Sequence, residues 1–210
     1  VTPAIRPALP EDAGFIAANI LSAQRGHRSR GWFDIALDCP EPQCLDFVRR
    51  LAVARAPSWW HVSQFIIAEV DGMPAAALCA LPVAGTDAAA GGAIKEVAGE
   101  TGQIAREIFR RGAYIENCWL PADDADWLIE HVASLPARRG CGHVQALIAH
   151  ALAAGKAAGY ARASIPFLIG NEPAERCYAK AGFVFAEEKR DPAFEALIGA
   201  PGFRRFTRTI

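Results

Sequence analysis

Asn171-Glu172-Pro173-Ala174-Glu175-Arg176-Cys177-Tyr178-Ala179-Lys180-Ala181-Gly182-Phe183 is the stretch on which the reading of this chain turns. It follows an apolar run, Ala161 to Ile169, that reads as a strand, and it closes on glycine, so it predicts a short helix. Asn171 stands at the cap position, where its side chain can accept backbone N–H groups. Its other reading is a polar contact to a cofactor or an acceptor amine. Tyr178 falls two turns in, where a helical tyrosine is commonly core. Its other reading is a general acid, since a phenol with a pKa of roughly 10 can protonate a departing thiolate of similar basicity.

This stretch pairs with an earlier one, Pro136-Ala137-Arg138-Arg139-Gly140-Cys141-Gly142-His143-Val144. Trp127 to Ser134 predicts a strand, and Gly142 to Ala154 a helix, so the glycines fall in a turn that opens a helix. Such a turn points successive backbone N–H groups outward at the positive end of the helix dipole and makes an anion site. Glycine matters because a Cβ would hold a pyrophosphate off the backbone. Arg139 would add charge-assisted bonds. A plain strand–helix turn with a basic rim is the competing reading. Two commoner anion loops are excluded: there is no Gly-Lys-Ser/Thr, and neither a third glycine nor an acid after the next strand.

Outward from these runs, Ala4 to Ala8 predicts a first strand. Pro10-Glu11-Asp12 opens a helix bearing Phe15, Ile16, Ile20 and Leu21 on one face. A loop with Gly31 and Trp32 leads to a second helix over Cys44 to Ala54. Gln64–Val70 and Ala75–Leu81 flank Asp71-Gly72, a strong hairpin signal. Phe183–Lys189 and Phe203–Ile210 predict the last two strands. Residues 83–125 read as an insertion or lid with a helix from about Ile94 to Phe109. Gly99 and Gly102 weaken that helix, and a disordered linker is the alternative for Gly85 to Gly92. The expected fold class is α/β or α+β in one domain, 1–210.

Composition sets the frame. The chain has 210 residues, 52% of them apolar, with a net charge of −1. That suits a globular protein with one sizeable core, and bulk charge does not call for nucleic acid. No apolar run reaches bilayer-spanning length. Val1-Thr2-Pro3 shows neither a basic region nor an apolar signal core, and lacks an initiator Met as a trimmed chain would. The six cysteines form no CxxC pair and are expected as reduced, mostly buried thiols of a cytoplasmic protein. His143 and His150 lie two helical turns apart, too far to chelate, so no metal is expected.

The two runs resemble motifs A and B of the GNAT acetyltransferase superfamily, which uses acetyl-CoA. Motif A reads Arg/Gln-x-x-Gly-x-Gly/Ala with a proline three residues ahead. Pro136, Arg139 and Gly142 fit it, and Ala146-Leu147-Ile148 continues as the family helix does. Motif B matches Asn171, Ala174, Tyr178 and Gly182-Phe183. Ile5-Arg6-Pro7-Ala8, Pro10-Glu11-Asp12-Ala13 and the Asp71-Gly72 hairpin also look like family elements. Val144 departs from the small residue that ends motif A. Taking Gly140 and Gly142 as the pair would repair this but puts Ala137 in the Arg slot.

The resemblance implies a mixed, mostly antiparallel sheet with splayed central strands and flanking helices. It implies N-acetyl transfer from acetyl-CoA to an amine of a small molecule or peptide, by direct attack in a ternary complex. Backbone groups of Val132, Ala133 and Ser134 would pair with pantetheine. Arg139, Gly140, Cys141, Gly142, His143, Val144 and Gln145 would hold the pyrophosphate. Asn171 would touch pantetheine, and Tyr178 would protonate the thiolate. A homodimer is compatible with the resemblance; nucleic acid and membrane partners are not expected.

The strand ahead of motif A offers two bases, Glu130 and His131. Strand alternation sends them to opposite faces, so one at most meets the cleft. Glu130 is the expected base, with a surface ion pair as its alternative, and His131 is expected as a satisfied, partly buried histidine. The acceptor site would be built by 26–60 and 82–126, where Trp32, Phe33, Trp59, Trp60, Tyr114 and Trp119 could line a pocket or pack a core. Asp123, Asp124 and Asp126 could attract a cationic amine, though a solvated turn is the simpler reading. A non-catalytic acyl-CoA-binding sensor, or plain structural use of the fold, are the competing functions.

Overall fold

A computed structural model describes residues 2–99 and 102–210. Seven strands form one sheet: β1 (Ala4–Pro7), β2 (Phe65–Val70), β3 (Met73–Pro82), β4 (Asp126–Ser134), β5 (Arg162–Leu168), β6 (Val184–Arg190) and β7 (Gly202–Thr209). Their order is β1-β2-β3-β4-β5-β7-β6. Every neighbouring pair is antiparallel except β4 and β5. The expected class, a mostly antiparallel mixed sheet with flanking helices, is what the molecule shows.

The hairpin forms where it was expected: Asp71 and Gly72 both take positive φ, 53° and 74°, as a primed turn requires. At the opening, Pro10–Asp12 is a short 3-10 turn leading into α1 (Ala13–Arg25). The Asp12 carboxylate accepts from the Leu9 amide and from Arg6, which also reaches Glu69, so one arginine ties β1, β2 and the helix start together.

On one face of the sheet, α1 and α3 (Glu41–Leu51) bury Ile16, Ile20, Val48 and Leu51 against Phe65, Ile67, Ala77 and Cys79. Burying each of the larger aliphatic side chains contributes about 2 kcal/mol. On the other face, α6 (His143–Ala157) and α7 (Glu172–Lys180) cover Leu78, Ile129, Ile165 and Phe167.

Three expectations need correction. The single helix over 94–109 is two helices, α4 (Thr86–Ala98) and α5 (Gln103–Gly112). Gly99 and Gly102 take positive φ, 91° and 63°, which a continuous helix cannot hold. Within that span Ile104 is 55% exposed while Ile108 is buried. The alternative of a disordered linker over 85–92 does not hold, since most of that segment forms the first turns of α4. α2 (Trp32–Leu37), read as loop, is capped by Asp34, which accepts from the Gly31 amide and pairs with Arg25. α8 (Pro192–Ile198) lay unread despite a complete signature: Asp191 caps it, Pro192 starts it and Gly199 ends it.

Of the cysteines, Cys44, Cys79 and Cys118 are buried, Cys39 and Cys177 half-buried and Cys141 exposed, so burial holds for three of the six. Among the described residues no helix is long and apolar enough to cross a membrane, and no group of three or more His, Cys, Asp or Glu side chains converges.

Candidate active site

The site begins where two strands part. β4 and β5 pair in parallel at Asp126–Arg162, Trp127–Ala163 and Leu128–Ser164, and no further. β4 continues to Ser134 with only β3 as partner. Beyond Leu128 its other edge therefore opens into a gap. Pro166 falls in the part of β5 that has left β4, where a missing N–H costs no β4 bond. A cavity of about 960 Å³ fills the gap and runs under the helices. Val132, Ala133 and Ser134 line it, as do Arg139, Gly140, Gly142, His143, Val144, Gln145, Asn171, Tyr178 and Glu130. Cys141 is the exception: it points to solvent and does not join the lining.

The turn has the character of an anion cradle. Gly142 caps α6 with φ 82°, and Gly140 has φ 76°. A Cβ built on either would meet no protein atom within 4 Å, so the space before the turn is open. Among the described residues the amides of 140–145 find no acceptor, whereas Ala146 already bonds the Gly142 carbonyl. Unpaired N–H groups at the start of α6 are a strong positive pole. Arg138, Arg176 and Lys180, none of them singled out from sequence, stand on the same rim as Arg139. These features fit the diphosphate of a CoA-type molecule.

α7 docks on this turn through Gln145, whose amide donates to the Cys177 carbonyl at 2.7 Å. Asn171 caps α7, accepting from the Ala174 amide at 3.4 Å, and faces the cavity as well. Tyr178 is buried to 6% exposure with its ring edge-on to Phe167. Burial pushes its phenol above the ordinary tyrosine range. The simple match to a thiolate pKa therefore does not hold, and the phenol stays protonated at every working pH.

The two candidate bases are not on opposite faces. Between the Cys79–Glu130 and Ala77–Ala133 pairs, β3 spends one residue and β4 spends two. His131 absorbs the extra residue with φ 50°, a bulge that breaks the alternation. Both Glu130 and His131 then line the cavity, with Glu130 Oε2 and His131 Nε2 3.8 Å apart, beyond hydrogen-bond reach. Asn19 of α1 holds the bulge, donating its side-chain N–H to the His131 carbonyl at 2.6 Å. Sequence reading missed Asn19; a buried asparagine on the apolar face of α1 was the available signal.

Burial pushes the Glu130 carboxyl up to about 7, and the Asp87 carboxylate adds to the rise. Burial pushes the His131 imidazole down to about 3. His131 stacks on Phe65, but its Nε2 is buried without a partner among the described residues, so the expected satisfied histidine is not found. The acidic cluster lies elsewhere. Asp126 is buried, and both it and Asp123 bond Arg162, so these carboxylates face an arginine and not the cavity. Of the six aromatics, Phe33 is core and the other five line the cavity.

Residues 30–183 match the acetyltransferase (GNAT) family. The chain belongs to that family. The matched region holds the splayed strands, the turn and α7. No curated protein sequence matches the chain. Among solved structures, an N-acetyltransferase from Staphylococcus aureus Mu50 superposes with a TM-score of 0.68 at 20% identity, over 98% of this chain and 100% of that one. A structure described as an acetyltransferase gives 0.63 at 18% identity, over 99% of both chains. N-acetylglutamate synthase from Neisseria gonorrhoeae, complexed with coenzyme A and N-acetyl-glutamate, gives 0.51 at 16% identity, over 100% of this chain and 35% of that one. At these identities the likeness is one of fold.

Proposed function

We propose that this acetyltransferase-family protein moves an acetyl group from acetyl-CoA to an amine by direct attack in a ternary complex. The observation that carries the reading is the convergence of open amides, a buried phenol and a carboxyl poised near neutrality on one cavity. Acetyl-CoA, when bound, would supply the thioester carbon. The amides of 140–145 hold its diphosphate, and Arg139 reinforces them. The free edge of β4 at Val132–Ser134 pairs with the pantetheine amides as a strand would. Asn171 borders the same arm.

Glu130 takes the proton that the amine must lose. Its carboxyl at about 7 is partly ionised at neutral pH, where a general base is most effective. His131 at about 3 holds a proton too weakly to compete for this role. Tyr178 gives its proton to the sulfur as the C–S bond breaks. A phenol raised by burial parts with its proton only to a strong base, and a thiolate forming in the same dry pocket is one.

Tyr178→Phe tests the reading. Turnover should fall by about 10- to 100-fold, while acetyl-CoA affinity by calorimetry stays within a few fold. Full turnover at every pH would remove the phenol from the mechanism.

A further inference from the structure

The cavity sorts its charges by end. Arg138, Arg139, Arg176 and Lys180 border the end made by the turn and α7. The lining carboxylates are Asp87, on the first turn of α4, and Glu130, and no lysine or arginine of the described lining comes from the elements around them. The walls on this side are indoles. Trp32 stacks on Trp60 with ring centroids 6.0 Å apart and 21° between planes, and Trp59 stands edge-on to Trp60 at 5.7 Å. They are tied to the Glu130 position through the sheet: its cross-strand partner Cys79 donates its thiol to the Trp59 carbonyl at 3.3 Å. Trp32 is fixed in turn by its Nε1, which donates to the Gly112 carbonyl at 3.0 Å. Tyr114 and Trp119 extend the aromatic lining. The Trp60 Nε1 is buried and has no acceptor among the described residues.

We propose that the acceptor is a primary amine on an aromatic body that carries no carboxylate, an arylalkylamine. This rests on the N-acetyltransferase reading and names its substrate class. An ammonium is attracted both to indole faces and to the two lining carboxylates, and an aryl group stacks on the same indoles. An amino acid would bring its carboxylate beside Asp87 and Glu130 with no cation to receive it. A polyamine would set its further ammonium groups and thin chain against broad rings that a flat body fills better. In the reaction the amine nitrogen bonds the acyl carbon as the C–S bond breaks. The ammonium first gives one proton to Glu130, Tyr178 protonates the leaving sulfur to the thiol, and the second proton shed by the nitrogen restores the phenol.

The test uses the full chain with acetyl-CoA and a thiol-release assay. Phenethylamine, tryptamine, phenylalanine, putrescine and a lysine-containing peptide are compared, and kcat/KM for the two arylalkylamines should exceed the others by at least about tenfold, the scale of one mismatched charge in a specificity site. Turnover led by phenylalanine, putrescine or the peptide overturns the proposal and leaves acetyl transfer intact. Quenching of tryptophan fluorescence supplies a second reading that needs no turnover: phenethylamine should bind at least about tenfold more tightly than phenylpropionate. That preference without thiol release from any amine would keep the aromatic-amine site and sink the transferase reading; equal or reversed binding sinks the site. Asp87→Asn, an exposed change, and Trp32→Leu should each raise KM for phenethylamine by about tenfold with KM for acetyl-CoA unmoved. Unchanged amine KM in both variants counts against the proposal.

Discussion

The two ends of the cavity are built from different materials. The end at the turn is backbone: open amides at a turn with two glycines and a helix start, with arginines as a rim. The end at Glu130 is side chain: indoles from three separate segments, two carboxylates and an imidazole held in register by a bulge. A backbone site is fixed by local conformation and tolerates most neighbours. A side-chain site depends on packing between distant segments, and one lost contact shifts several groups at once. Substitutions at the second end should therefore have the larger effects.

Glu130→Gln should have the largest. Loss of the base should lower kcat/KM by about 10²- to 10³-fold. In the parent protein kcat/KM should rise through a pH near 7 as Glu130 ionises, and in the variant that rise should vanish. Stability should move the other way. The folded-state pKa of about 7 lies above the ordinary 4.5, so the unfolded chain releases this proton first as pH rises. Stability from this group is present below about 4.5 and lost as pH climbs to about 7. At pH 8 the glutamine variant should unfold with about 3 kcal/mol more resistance, a margin that fades in acid. Urea melts at pH 4 and pH 8 check both signs. An unchanged pH–rate profile would assign the base elsewhere.

Asn19→Leu comes next. It removes the N–H that holds the His131 carbonyl and keeps the same branched skeleton of four side-chain heavy atoms, with bulkier methyl ends. An unsatisfied buried carbonyl costs about 2 kcal/mol. If the bulge relaxes toward regular alternation, His131 turns from the cavity, the surroundings of Glu130 change with it, kcat should drop by about tenfold, and the midpoint near pH 7 should move. A purely structural asparagine would lower the melting temperature and leave the pH profile in place. Acetyl-CoA affinity should fall by a few fold at most, because the diphosphate turn lies at the other end and only the pantetheine edge at Val132–Ser134 adjoins the bulge.

The same division explains what could be read from sequence. The placement of Pro136, Arg139, Gly142, Asn171 and Tyr178 was legible because local backbone chemistry fixes it: a turn, a cap, a helix position. The hairpin at Asp71-Gly72 was legible for the same reason. The bulge at His131 was not, since strand alternation is the default and the force against it comes from Asn19, 112 residues away. Asp87 escaped notice because 85–92, small and glycine-rich, gave no periodicity to follow. The indole wall was visible only as residues of undecided role, because lining a pocket and filling a core leave the same mark on composition.

Gly142→Ala probes the backbone end and should do less. The residue sits at φ 82°, where a Cβ costs about 1 kcal/mol of strain. No protein atom opposes the added methyl, so loss beyond that strain has to come from the ligand. Acetyl-CoA affinity should fall by roughly five- to tenfold, with amine KM and the pH–rate midpoint unmoved. If amine KM shifts instead, the two ends are coupled more tightly than their construction implies.

Asp123→Asn should do least. From sequence, Asp123, Asp124 and Asp126 were the cluster that could attract a cationic amine, with a solvated turn as the simpler reading. In the fold Asp123 bonds Arg162 at 2.9 Å and accepts from the Ala125 amide, at the start of β4 and away from the splay. An exposed carboxylate already matched by a guanidinium, with solvent around both, exerts little pull on a ligand beyond about 10 Å at physiological salt. Amine KM should be unchanged at 0.15 M salt, in contrast to its rise in Asp87→Asn. A rise in both would mean that bulk acidity, and not the placement of two carboxylates among indoles, draws the amine in.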